Sequence, residues 1–124
     1  MAGVLGVGRA EFARTVLDAG RGRLPAGLVG PGDPVVLVLP ATLAGVVAGR
    51  RVLAGLADHE VVVVMRPTGW LPADEVAEQL GVPVSLEVPR LRRAAELAEC
   101  GDLLSGRTGR SLRTLGEQIW GQLG

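Results

Sequence analysis

The chain contains no lysine, no asparagine and no tyrosine, and only one each of isoleucine, phenylalanine, histidine and cysteine. Each shortage excludes something. Without lysine, no reaction that needs an ε-amine can be run by this chain alone. With Cys100 as the only cysteine, no internal disulfide can form, and a secreted disulfide scaffold is ruled out. His59 has no second histidine or cysteine near it, so it reads as a solvated turn residue before a strand, not a ligand or base. The N-terminus lacks a basic segment followed by an apolar one, so no signal peptide is visible. The longest uncharged run, between Asp33 and Arg50, contains Pro40 and is shorter than the ~20 apolar residues of a membrane span. These shortages predict a soluble, cytoplasmic protein. No charge of one sign is in excess either. Thirteen acidic residues balance thirteen basic ones, all arginine, so no global field draws nucleic acid or an anionic membrane.

What is present is an apolar chain of one domain's length. The 124 residues are 48% hydrophobic, enough for a core, and predict a single domain over 1–124. Pro34 to Arg66 is the organising stretch. Val35-Val-Leu-Val-Leu39 and Val61-Val-Val-Val64 are continuous apolar runs, as in parallel strands buried on both faces. Between them lies helix-forming sequence of the length a βαβ unit needs, with Thr42 as its N-cap. The core side of this helix is ambiguous. Leu43, Val46, Val47 and Leu53 share one side; Gly45 and Gly49, with Val52 and Leu56, offer another that permits close packing.

The remaining segments extend the alternation. Met1 to Ala10 is glycine-rich but has neither a phosphate-loop Lys-Ser/Thr nor a dinucleotide fingerprint, and reads as a flexible start. Phe12 to Leu17 predicts a strand ending at Asp18. Gly30 to Asp33 predicts a turn launching the next strand. Met65 to Trp70 predicts a loop. A helix is expected from Pro72, as its first residue, to Leu80, with Gly81 as a left-handed cap. Val82 to Val88 predicts a short strand closed by Pro89. Arg90 to Cys100 has helical periodicity, with Arg92 and Glu96 placed to pair and Cys100 expected to be a small buried residue. Asp102 to Gly109 predicts a polar loop, and Leu112, Leu115, Ile119 and Leu123 mark a final helix. The fold expected is a three-layer α/β domain. Its mainly parallel sheet has about four strands, near 12–18, 34–39, 60–66 and 83–88.

The order of these phrases resembles the C-terminal half of MinD/ParA-type P-loop ATPases. Val16-Leu-Asp-Ala-Gly20 matches the family's strand ending in Asp-x-Gly. The valine-rich strand ending at Pro40 matches the next, and Leu80-Gly-Val-Pro83, Pro89 and Gly101 match the later Leu-Gly-Val-Pro, Pro and helix-Gly phrase. The nearest branch looks like degenerate actinobacterial septum-site-determining proteins akin to CpaE/TadZ. The resemblance covers about residues 12 to 123 and implies a partial P-loop NTPase fold. Intact relatives use ATP and magnesium. Here the resemblance leaves Asp18 as the one remnant of a catalytic position. Pro40, Met65, Arg66 and Pro89 fall at the family's nucleotide edge, as non-functional positions. Met65-Arg66 stands where the family has an adenine-reading Asn. With no phosphate-loop lysine, neither cofactor nor metal is expected in this chain. It is expected to be a gene fragment or a decayed domain kept for contacts.

The leading expectation is therefore a non-catalytic relative of ATPases that position septum or pilus machinery, acting through a protein partner or self-association. The alternative is a weak, non-specific DNA-binding module using Arg107, Arg110 and Arg113, although a solvated face with arginine stems over apolar surface explains these residues more simply. Peripheral membrane contact by Ser111 to Leu123 ranks lower, since that helix has little basic charge. A hydrolase using Asp18 and His59 ranks last, because no nucleophile or oxyanion loop can be named.

Overall fold

The computed structural model describes residues 27, 29–91, 94–101 and 104–123. The strand expected at 12–18, with Asp18, lies outside the described residues. So do Arg92 and its expected pairing with Glu96.

Three strands form one sheet in the order β1-β2-β3: β1 is Val35–Ala41, β2 is Val61–Gly69 and β3 is Leu86–Glu87. Both pairings are parallel. Val35 lies beside Val61, Leu39 beside Met65, and Val64 beside Leu86. β1 and β2 form where the continuous aliphatic runs predict them, because β-branched side chains suit a pleated surface. β2 is covered on both faces as expected, with Val62 to Met65 buried, but β1 is not: Leu39 and Ala41 are buried while Val36 and Val38, on the opposite face, are 36% and 52% exposed. β3 is shorter than the expected 83–88. Pro83 and Pro89 cannot donate to a ladder, although the amides of Ser85 and Val88 still donate to the carbonyls of Val63 and Met65 at 2.9 and 2.8 Å.

The helices alternate with the strands. α1 (Leu43–Ala54) joins β1 to β2 and α2 (Ala73–Leu80) joins β2 to β3; α3 (Ala94–Glu99) and α4 (Gly106–Leu123) follow. Thr42 caps α1: its hydroxyl accepts from the Gly45 amide at 3.0 Å. The turn before β1 is held by the Asp33 carboxylate, which accepts from the Gly30 amide at 2.8 Å. His59 is less solvated than its sequence position suggests. It is half-buried, and its Nδ1 donates to the Asp33 carbonyl at 3.2 Å, tying the turns before β1 and β2 together. Pro72 is the N-cap of α2, one position earlier than expected, and Gly81 ends α2 at φ 77° as expected.

α1 and α2 cover one face of the sheet. Leu39, Ala41, Val63 and Met65 from the strands meet Val46 of α1 and Val76 and Leu80 of α2 in one buried cluster, closed by Leu71. The core side of α1 is the glycine side plus Val46. Gly45, Val46 and Gly49 are buried, whereas Leu43 and Val47 are 62% and 49% exposed. The physical reason is distance. A Cβ on Gly49 would already sit 3.3 Å from Leu80 Cδ2 and 3.8 Å from Leu37 and Leu39, so bare backbone lets α1 lie close to the sheet.

α4 lies against β2, and its stripe of Leu112, Leu115, Ile119 and Leu123 is half-buried. It begins at Gly106, inside the segment expected to be a polar loop. There Gly109 is buried against the Leu104 backbone and its amide donates to the Ser105 carbonyl. Cys100 is exposed, not buried as expected, because α3 has ended at Glu99 and the chain is already turning into Gly101. No helix among the described residues is long and apolar enough to cross a membrane.

Candidate functional site

Parallel strands bring their carboxyl ends to one edge, where open α/β sheets usually place ligands. Here that edge is formed by Pro40-Ala41, by Arg66 to Gly69, and by Glu87 to Pro89. Three positions predicted from the sequence, Pro40, Arg66 and Pro89, stand there, and a fourth, Met65, does not. Pro40 is half-buried and pairs in register with Arg66. Met65 is 5% exposed and belongs to the core, so its side chain does not face the edge at all. The reason is the alternation of β2, which turns Met65 inward beside Val63. Arg66 and Pro89 are exposed. Asp18, the fifth position, lies outside the described residues.

The segment read as a loop after Met65 is instead extended. β2 runs on through Pro67 to Gly69, which pairs with Ala41 across a register shift. The Ala41 carbonyl then accepts from both the Trp70 and the Leu71 amides at 3.1 Å. Gly69 has φ 119°, and a Cβ there would run into that same carbonyl and approach Thr42 Cγ2 at 2.8 Å. Backbone is thus packed against backbone where β1 and β2 end, and the Thr42 hydroxyl is already committed to its helix. This bend leaves Trp70 75% exposed beside the edge. A glycine followed by a tryptophan just past an apolar strand was the signal in the sequence for this residue.

The arginines assigned to DNA lie on one element. Arg107, Arg110 and Arg113 follow each other at three-residue spacing in the first half of α4, and all are exposed. Arg113 is partly used locally, since its guanidinium donates to the Leu104 carbonyl at 3.2 Å. Arg110 also lines an open cleft of about 400 Å³ between the end of β3 and α4. Glu87 and Pro89 form one wall; Ser111, Thr114, Leu115 and Gln118 continue the other. Among the described residues, no three His, Cys, Asp or Glu side chains come together as a metal site.

The surface that departs most from expectation is the outer side of α1. An exposed helix normally carries polar residues opposite its apolar stripe. α1 reads Leu-Ala-Gly-Val-Val-Ala-Gly-Arg-Arg-Val-Leu-Ala, with two polar residues in twelve. Its inner side is Gly45, Val46 and Gly49. Its water-facing side is Leu43, Ala44, Val47, Ala48 and Ala54, with Arg50 and Arg51. Of the two apolar sides in the sequence, the glycine side faces the core together with Val46 and Leu53, and Leu43 and Val47 are left in solvent.

No family model matches the chain, and no curated protein matches it. Among solved structures, it is similar to the crystal structure of a ParA family ATPase from Chlorobium tepidum TLS. The TM-score is 0.49 and the sequence identity 18%, over 73% of this chain. The chain spans 38% of the length of that protein. Three parallel strands with flanking helices define the α/β fold independently of that likeness.

Proposed function

We propose that this chain is a non-catalytic, MinD/ParA-like α/β domain that works by binding protein, in the positioning of septum or pilus machinery. The observation that carries the contact role is the outer side of α1, where Leu43 and Val47 stand 62% and 49% exposed on a helix with no acidic residue. Apolar surface of this kind costs free energy in water at roughly 25 cal/mol per Å² and is recovered when a partner covers it. The kinship rests on the order of sequence phrases from Asp18 to Gly101. The non-catalytic character rests on the missing lysine, since a P-loop lysine supplies charge to the transferred phosphate that no residue here replaces.

Two measurements test this reading. Calorimetry with ATP and magnesium is expected to show no micromolar binding; a saturable micromolar isotherm would refute the non-catalytic role. The double variant Leu43→Gln/Val47→Gln, melted under dilute monomeric conditions, is expected to unfold within a few degrees of the parent. A collapse in its melting temperature would mean that the chain itself covers this face, and the contact role would fail. DNA binding by Arg107, Arg110 and Arg113 is the second reading, favoured by their common exposure on α4.

A further inference from the structure

The partner of the α1 surface can be named more closely, on the footing of the contact role above. α1 and α2 lie side by side on the same face of the sheet, with Gly49 of α1 against Leu80 of α2. Their water-facing sides carry opposite charge. α1 offers Arg50 and Arg51 and no acid; α2 offers Asp74, Glu75 and Glu78 and no base, and all five side chains are exposed. Helix dipoles account for part of this. Asp74 and Glu75 sit in the first turn of α2 and Arg51 in the last turn of α1, where each sign is favoured. The dipoles do not account for Leu43 and Val47, which keep a basic helix apolar on its wet side.

We propose that this two-helix layer is a self-complementary surface that pairs with a second copy of the chain, α1 of each copy lying over α2 of the other. Two-fold pairing brings each copy's Arg50 and Arg51 onto the partner's acidic helix twice over. A two-fold contact of this kind must be self-complementary, and adjacent helices of opposite sign meet that requirement. Leu43 and Val47 are then covered by the side-chain stems of the opposite α2. The size of the layer sets the strength. α1 is roughly 18 Å and α2 roughly 12 Å long at ~1.5 Å per residue, and packed helices are about 10 Å wide, so the two overlaps of α1 on α2 give on the order of 240 Å² of flat contact. That falls well below the ~800 Å² per partner of a standard stable interface, so the dimer is weak and comes apart on dilution.

Sedimentation of the full chain across a dilution series tests this. The parent is expected to pass from dimer to monomer on dilution, and to shift toward monomer as salt is raised. Arg50→Glu/Arg51→Glu and Glu75→Arg/Glu78→Arg are each expected to weaken association at least tenfold. An equimolar mixture of the two variants is expected to recover it, because each altered helix then faces its opposite. Circular dichroism of each variant establishes that it is folded. A parent that stays monomeric at high concentration overturns self-pairing, while the exposure of Leu43 and Val47 and the contact role survive or fall by the melting test above. A dimer indifferent to both charge reversals, or weakened by each but not restored by mixing, also overturns the proposed surface.

Discussion

Gly45→Ala is expected to destabilise the chain, although in most helices the same change stabilises. Gly45 lies in the first turn of α1, where alanine has an intrinsic advantage of about 1 kcal/mol. Against this stands the Pro40 backbone. A Cβ at position 45 would land on the Pro40 carbonyl oxygen, with the ring Cγ at 2.8 Å and Cδ at 3.0 Å. The Pro40 carbonyl already accepts from the Thr42 amide at 2.9 Å, and backbone held this way cannot rotate aside as a side-chain end can. Relief requires α1 to lift from the end of β1, which also stretches the bond from the Gly45 amide to the Thr42 hydroxyl. Overpacking of this type costs typically ~1–3 kcal/mol, and loss of the cap adds about 1 kcal/mol. The net expected cost is about 1–3 kcal/mol, which lowers the melting temperature by roughly 4–15 °C in a domain of this size. Gly49→Ala is the internal control. Its nearest neighbour is the Leu80 Cδ2 methyl at 3.3 Å, the mobile end of a side chain, so the helix-propensity gain should survive. Thermal and urea unfolding of both variants, run under dilute monomeric conditions, decides the matter. If Gly45→Ala is as stable as the parent, or Gly49→Ala is the worse of the two, the close approach of α1 to β1 is misassigned.

Thr42→Ala removes the hydroxyl that caps α1 and should cost ~1 kcal/mol, with Thr42→Ser restoring most of it, as read by urea midpoints at unchanged slope. Val76→Ala empties a fully enclosed position, at 0% exposure between α2 and the sheet, and should cost about 2 kcal/mol by the same titration. DNA binding by Arg107, Arg110 and Arg113 involves at most three phosphate contacts at ~0.9 per phosphate in the salt slope, so affinity should fall roughly 40-fold between 50 and 200 mM salt. A gel shift that persists at physiological salt, and disappears in Arg107→Ala/Arg110→Ala, would instead promote nucleic acid to the principal partner.

The sheet was legible where the chain is monotonous. Val61 to Val64 gives no alternation, and such a strand is typically covered on both faces, as Val62 to Met65 are; the equally apolar Val35 to Leu39 forms a strand too, but leaves Val36 and Val38 exposed. α2 was legible because Pro72 and Gly81 bracket it chemically. The errors lie where local chemistry and packing disagree. Gly106 and Gly109 read as loop formers, yet Gly109 gives the Leu104 backbone room to lie against α4. Pro67 reads as a strand breaker, yet extended backbone continues to Gly69, because proline's lack of an N–H is tolerated where the ladder is already shifting register. Cys100 reads as a small apolar residue and so as buried, yet it falls in the turn where α3 has ended.

The candidate site was less legible for a different reason. Family phrases direct attention to the carboxyl edge of the sheet, and Pro40, Arg66 and Pro89 do stand there. Their arrangement is dominated by backbone: Ala41 accepts two amide hydrogen bonds, and Gly69 is pressed against its carbonyl. Exposed apolar side chains stand at Trp70 beside that edge, at Val36 and Val38 on β1, and along α1, whose run is in sequence hard to tell from a buried crossover helix. Hydrophobic residues all round a helix imply covering all round, but the sequence does not say whether the cover comes from the same chain. Only the exposure of Leu43 and Val47 in the fold separates the two cases. Once separated, the opposite charges of α1 and α2 acquire a meaning that their linear spacing, more than twenty residues apart, could not convey. The sheet sets them side by side, and a two-fold axis then needs no further element to bring each helix onto its complement.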